Sequence, residues 1–312
     1  MTSVTTSEAK VTPRQGYGLA LGIALASAAA FGLSGSLARS LLNLGWSPAA
    51  VVGSRIGGAF LVLVVPCLLL LRRIGMPSGR QSGRMVAYGV VAVAGAQLCY
   101  FSAVQYLSIG VALLLEYLAP VLLIGYHWLV RRRRPATTVL VGAAVSIVGL
   151  IFVLDLRGDV TLNPIGVAYG LGAAVCLAAY FVLSEDTGDT SVHPLLLTTA
   201  GTGVGGLVIV AAGVTGLLPM TAHIGTTELG GVAVSWWLPL LLLITVSAVF
   251  AYLTGIVAVR RLGSSVASFV SLSEVIFAVV FAAVLLAQHP SAIQLVGGAL
   301  VLLGIGVVQR RS

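Results

Sequence analysis

Three charged side chains, Arg55, Glu116 and Glu274, stand inside long apolar stretches that otherwise carry no charge. A guanidinium can hold a carboxylate, and a carboxylate can hold an ammonium or carry a proton. If the stretches are membrane helices, each charge costs about 2.5–3.5 kcal/mol on insertion scales and is a functional hypothesis by default. Arg55 lies seven residues past Pro48 and Glu116 seven past Ile109, each about 10 Å from the start of its helix. That equal depth predicts an Arg55–Glu116 ion pair. Glu274 lies eleven residues past Gly263, about 16 Å in and near the midplane. Neutral polar groups extend the set. Gln97 and Tyr100 are spaced to share one helix face, Tyr117 adjoins Glu116, and Pro120 frees a backbone carbonyl one turn further on. With Tyr252, which aligns with Gln97 in an internal repeat, these are the expected substrate-binding or coupling residues.

No catalytic or metal constellation accompanies them. The sequence has no GxxxxGK[ST] loop, no HExxH and no paired-histidine zinc spacing. His127 and His193 fall near helix boundaries, and His223 and His289 fall in loops. Cys67, Cys99 and Cys176 sit in apolar runs without CxxC spacing, as small buried hydrophobes do. No enzyme activity, cofactor or metal is expected.

The chain of 312 residues is 58% hydrophobic and only 8% charged, with a mean hydropathy of +1.08. A soluble domain carries about 25% charged residues, because water must be met by a polar shell. This composition describes an integral membrane protein. Crossing a bilayer takes about 20 apolar residues. Such runs occur at Gln15–Ala38, Pro48–Leu71, Thr137–Leu154, Pro164–Ser184, His193–Leu217, Trp236–Val259, Gly263–Leu286 and Ser291–Val308. Met85–Val130 is twice too long for one helix and must turn near Leu107–Gly110, which makes ten spans. Ala26-Ser27-Ala28 mimics a cleavage site, but the apolar run continues past it, so the first helix is read as retained.

The net charge of +8 could suggest nucleic acid, but the positions of the bases exclude that reading. With both termini in the cytoplasm, Lys10, Arg14, Arg72, Arg73, Arg80, Arg84, Arg131 to Arg134, Arg260, Arg261, Arg310 and Arg311 all lie inside. Only Arg39 and Arg157 fall outside, as the positive-inside rule requires. The acidic loop Glu185–Asp189 is tolerated inside, since acids contribute little to that rule.

The sequence also aligns with itself. Gly16 meets Gly166, Leu21-Gly22 meets Leu171-Gly172, and Phe31 meets Phe181. Further on, Ala103-Val104 meets Ala258-Val259, Val111-Ala112 meets Val266-Ala267, Pro135 meets Pro290, Gly142 meets Gly297 and Gly149 meets Gly304. Five helices per unit is an odd number, so the second unit is inserted upside down. The bases agree: Arg131 to Arg134 precede Pro135, whereas Ala287-Gln288-His289 precede Pro290. The expected architecture is an all-α polytopic membrane protein of ten transmembrane helices in two inverted five-helix repeats. Residues 1–14 form a cytoplasmic tail, 15–155 and 156–309 the repeats, and 310–312 a second tail. Inverted repeats with a midplane site between them are an architecture of secondary transporters.

On these features the chain resembles the drug/metabolite transporter superfamily, specifically the EamA-type permeases. Ser54-Arg55 opens the second span as in such permeases. Leu118-Ala119-Pro120-Val121 and Leu272-Ser273-Glu274-Val275 each look like half of the family's L-E-P-V element. Ala287-Gln288-His289-Pro290 is similar to its G-E-R-P turn. The string from Tyr106 to Pro120 is closest to exporters of threonine and homoserine type. The resemblance implies a proton-coupled or facilitative exporter of small metabolites, foremost amino acids, in a bacterial cytoplasmic membrane. Its partners would be a small-molecule substrate and the lipid bilayer, with no nucleic acid, as a monomer or homodimer. The alternatives are an importer or exchanger of another metabolite, or a non-transporting structural or sensory subunit.

Overall fold

The computed structural model describes residues 13–103, 105–107, 109–132, 134–154, 163–186, 188, 191–287 and 290–309. Ser108, Arg133, Arg157, Asp189, the Gln288-His289 turn and the tail bases Lys10, Arg310 and Arg311 therefore lie outside the described residues. The first half comprises α1 (Pro13–Asn43), α2 (Pro48–Ile74), α3 (Gly79–Ala87), a π-helical segment (Tyr88–Gly95), α4 (Ala96–Ala103), α5 (Ile109–Glu116), α6 (Ala119–Leu129) and α7 (Thr137–Val153). The second comprises α8 (Pro164–Ser184), α9 (Pro194–Val214), β1 (Thr226–Leu229), β2 (Val232–Ser235), α10 (Trp237–Ile244), a π-helical segment (Thr245–Phe250), α11 (Ala251–Leu262), α12 (Ser264–Ser271), α13 (Ser273–Leu286) and α14 (Ala292–Gln309).

Among the described residues, seven helical segments are long and apolar enough to cross a membrane, and Thr137–Val153 and Ala292–Val308 are shorter apolar helices. The run from α3 through its π segment to α4 brings the crossings to ten. Large apolar side chains such as Leu61, Leu207, Val284 and Leu303 point outward, which suits a lipid solvent and no other.

Helix starts follow local chemistry. Proline opens α2, α8 and α9, where its missing N–H costs nothing, and Ser47, Asn163 and His193 cap those three helices through side-chain acceptors. Two expectations need correction. The first helix does not end near Ala38 but continues to Asn43, so Arg39 is helical. Nor are the fourth and ninth crossings continuous: α5 gives way to α6 at Tyr117-Leu118, and α12 to α13 at Leu272. Pro120 stands in the first turn of α6, where it requires no backbone donor, so it marks the restart of a helix and not a kink within one.

The repeat is visible in the element starts. Shifting by 155 residues, the offset that matched Ala103 with Ala258 and Pro135 with Pro290, carries Ala96 of α4 to Ala251 of α11, Ile109 of α5 to Ser264 of α12, and Thr137 of α7 to Ala292 of α14. Each π segment stands directly before the first of these pairs. The inversion is explicit where α7 crosses α14. A Cβ on Gly142 would lie 2.7 Å from the Gly304 carbonyl oxygen, and one on Gly149 would lie 2.7 Å from that of Gly297. Numbers rise along one helix as they fall along the other, so equivalent helices run antiparallel. Glycine is required here because the two backbones touch.

Gly149→Leu or Gly297→Leu should therefore lose most of the folded protein, since overpacking costs about 1–3 kcal/mol even where side chains can yield. Gly18→Leu, where an added Cβ meets nothing within 4 Å, is the matched control. Gel filtration of the detergent-solubilised chain checks it; equal monodisperse yields would show that the helices do not cross at these glycines.

At one end of the bundle stand Arg84, Arg131 and Arg260, and this is called the basic end. At the other, β1 and β2 form a hairpin whose Leu229↔Val232 closure uses Gly230 and Gly231, both at positive φ, as a two-residue turn demands. The hairpin is tied to α1 and α13. Thr227 Oγ1 donates to the Ser40 carbonyl at 2.7 Å, and the Gly230 N–H donates to the Leu285 carbonyl at 2.8 Å.

Candidate functional site

A cavity of about 560 Å³ lies between the two halves. It extends from Val259 and Ala267, one turn short of the basic end, to Leu42 and Pro48 at the hairpin end. Both halves line it. Seven of the eight residues expected from sequence face it: Arg55, Gln97, Tyr100, Glu116, Tyr117, Tyr252 and Glu274. Pro120 does not; it is buried at the start of α6.

Arg55 projects from the hairpin half of α2 and is only 8% exposed. Its Nη1 donates to Ser34 Oγ of α1 at 2.9 Å. It also donates to the Tyr252 hydroxyl, whose ring stands edge-on to Phe31 with centroids 5.1 Å apart. The Nε of Arg55 has no partner among the described residues. The guanidinium lines the cavity with one buried donor unmade, so a small shift of the side chain would let an anionic group complete it.

The expected Arg55–Glu116 pair is not formed. Among the described residues the only ion pairs within 4.0 Å involve Glu185, at the basic end. The reason is azimuth: α2 packs on α9, α10 and α1, whereas α5 packs on α8 and α4, so the cavity separates them. Equal depth does not make helices neighbours. Arg55 feels Glu274 instead, while Glu116 and Glu274 are electrostatic neighbours of each other.

Glu274 occupies the first turn of α13, just past the one-residue break after α12. Its carboxylate accepts a hydrogen bond from the Tyr117 hydroxyl, across the corresponding break in the first half. Gly32 of α1 lets this turn approach, since a Cβ there would lie 2.7 Å from the Glu274 carbonyl oxygen. The arrangement offers an unpaired cationic donor and two carboxylates across one apolar-walled space. It can hold a molecule carrying both charges.

Sequence reasoning missed Arg39, Ser27 and Ser34 as lining residues. Arg39 was placed in a loop by an early helix end. The two serines carry no charge to mark them, and only their position on a small-residue helix could have done so.

Comparison with known proteins decides the family. The profile of the EamA-like transporter family matches residues 18–155 and again residues 164–310. The chain belongs to the EamA-like transporter family. It is thus a membrane transporter of the drug/metabolite transporter superfamily, with one family unit in each half. No curated protein shows significant similarity to this EamA-like transporter. A solved structure described only as the crystal structure of a protein matches with a TM-score of 0.74 at 18% identity, over 93% of this chain and 98% of its own. That likeness extends to the fold.

In this EamA-like transporter the basic end is closed by a polar cluster joining the two halves. The Glu185 carboxylate receives Arg131 Nη2 at 2.6 Å and stands 3.9 Å from His127 Nε2. Arg84 donates to the Leu183 carbonyl at 2.9 Å and to the Glu185 carbonyl. Arg260 donates to the Ser184 carbonyl at 3.3 Å and to that of Val192. The loop that sequence reading merely tolerated is therefore a joint between halves.

Burial acts to raise the Glu185 carboxyl, but hydrogen bonds from Ser264 and Arg131 outweigh it and hold the group below its ordinary 4.5. A depressed acid stabilises the fold above its unfolded value, and that contribution is lost as pH falls through the folded value. Thermal midpoints in detergent should thus be flat from about pH 7 to 5 and decline below about 4.5. Glu185→Gln should flatten that acid limb. An unchanged acid limb in Glu185→Gln would assign the decline to other carboxylates.

Proposed function

We propose that this EamA-like transporter exports small zwitterionic metabolites, foremost amino acids or related compounds, by alternating access between its two halves. One observation carries the reading: Arg55, with an unfilled Nε, faces Glu116 and Glu274 across the same cavity. A zwitterion's carboxylate complements the first and its ammonium the second pair, so neither end of the molecule is left uncompensated in a low-dielectric space. A carboxylate near the midplane also suits coupling to protons. The basic end faces the cytoplasm of a bacterial cell, because Arg84, Arg131 and Arg260 gather there.

The decisive experiment is uptake into proteoliposomes of the purified chain, scanned with a labelled panel of amino acids, amines and organic anions. Zwitterions should be transported in preference to either singly charged class. Preference for amines or anions would overturn the reading.

Orientation is tested separately. In intact cells, Ala233→Cys beside the hairpin turn should react with an impermeant maleimide, and Arg132→Cys only after permeabilisation. Labelling of Arg132→Cys from outside would invert the topology.

A further inference from the structure

The cavity is sealed at the basic end by side chains that match, through the internal repeat, those lining its open half. Near the hairpin end the cavity is lined by Ser34 of α1, Val51 and Val52 of α2, and Leu243 of α10. Extending the first alignment pairs Leu33-Ser34 with Leu183-Ser184. Matching the proline-led, side-chain-capped starts of α2 and α9 pairs Val51-Val52 with Leu197-Thr198. The shift that relates α4 to α11 pairs Leu243 with Tyr88. The four mates Tyr88, Ser184, Leu197 and Thr198 come from both halves, and all stand at the basic end with 0% exposure.

Three of the four, Tyr88, Ser184 and Thr198, carry a buried hydroxyl; those of Tyr88 and Ser184 meet only each other, and that of Thr198 has no hydrogen-bond partner among the described residues. Leaving a buried hydroxyl unpaired costs about 1–3 kcal/mol, and three hydroxyls gathered in one dry seal with so little to bond need an explanation. Apolar packing does not supply one, because alanine or valine would close the seal without that cost.

From the repeat match and these buried hydroxyls we infer that Tyr88, Ser184, Leu197 and Thr198 line the cytoplasmic half of the substrate route. The hydroxyls are under-satisfied in this state because their further partners are the water and polar substrate groups that enter when the basic end opens. In an inverted-repeat protein, exchanging the conformations of the halves turns the closed half into the image of the open one. Ser184 then takes the place that Ser34 holds now, and Tyr88 and Thr198 add hydroxyls where the open half has Leu243 and Val52. The Arg131–Glu185 contact crosses between the halves beside this seal and must break for it to open. The inference rests on the alternating-access reading and adds to it the identity of the second route.

Maleimide reaction rates on the full detergent-solubilised chain test it, after replacing Cys67, Cys99 and Cys176 by serine. Thr198→Cys and Leu197→Cys report the closed route, Val52→Cys the open one. Ile209→Cys, 1% exposed on the same α9 and outside the cavity lining, is the buried control. Each is measured with Arg131 present and with Arg131→Gln, keeping only preparations that elute as a single species. The released background should speed Thr198→Cys and Leu197→Cys at least about tenfold, leave Ile209→Cys unchanged and slow Val52→Cys. A second variant works in the opposite direction. Gly35→Trp, where the cavity wall leaves space for a side chain, obstructs closure of the hairpin end and should silence Thr198→Cys.

If Val52→Cys slows while Thr198→Cys and Leu197→Cys stay as inert as Ile209→Cys, alternation stands and this route is wrong. If no position responds to Arg131→Gln or to Gly35→Trp, alternating access falls and the route falls with it.

Discussion

On the reading proposed above, Glu274→Gln should abolish gradient-driven transport while leaving membrane insertion and folded yield near those of the unaltered chain. The substitution preserves shape and retains an acceptor for the Tyr117 hydroxyl, so the contact across the two helix breaks survives. It removes only the charge. That charge sits where α13 begins and where Arg55 is the compensating cation, so on the proposed reading its loss would leave a zwitterion's ammonium opposed by Glu116 alone. Losing one charge-assisted contact is worth about 1.5–3 kcal/mol, or a ten- to hundredfold fall in apparent affinity. Where a proton is also carried, counterflow at saturating substrate persists while the response to a pH gradient disappears. Measuring both in the same proteoliposomes separates binding from coupling. Ordinary rates with an ordinary pH response would reduce Glu274 to a structural acid.

The second large effect is at Arg55. Arg55→Met is expected to stop transport and to lower the detergent thermal midpoint, because it leaves Ser34 and Tyr252 without the donor that now binds both. Lysine does not substitute, since one ammonium cannot reproduce a planar fork that spans two hydroxyls and an incoming carboxylate. Double-mutant cycles locate the coupling. Arg55→Met with Tyr252→Phe should be non-additive by about 0.5–3 kcal/mol, whereas Arg55→Met with Glu116→Gln should add within about 0.5 kcal/mol. Strong coupling between Arg55 and Glu116 would mean that the two side chains meet, and the geometry of the cavity would then be wrong.

The contrast between those cycles marks what a sequence can carry. Arg55, Glu116 and Glu274 were legible because a charge among apolar residues is expensive anywhere along a membrane helix. Depth was legible too, since rise per residue is fixed. Direction around the helix axis was not, because it depends on which helices become neighbours, and the Arg55–Glu116 pair failed there. The ordered glycines at 142, 149, 297 and 304 marked the repeat, yet nothing in the alignment said that they face one another. Neither π-helical segment has a sequence signal, because the extra residue is taken up by a shift in backbone hydrogen-bond register that side-chain type does not report. Glu185 escaped for a different reason. Its partners Arg131 and Ser264 lie on segments far apart in the chain, and only folding assembles them.

The glycine crossing of α7 and α14 has a further consequence. Gly142 touches Gly304, the counterpart of Gly149, and Gly149 touches Gly297, the counterpart of Gly142. Such a surface is isologous: it is its own complement under a two-fold rotation, as in a symmetric dimer. Here the dimer is folded into one polypeptide, with the dyad lying in the plane of the bilayer. The contact is closed, so no second molecule can dock through it, and any larger assembly must form elsewhere. Nor does it need the peptide link between the halves to hold it. A chain severed between α7 and α8 and produced as two fragments should reassemble in the membrane, with each half recognising the other through the same four glycines.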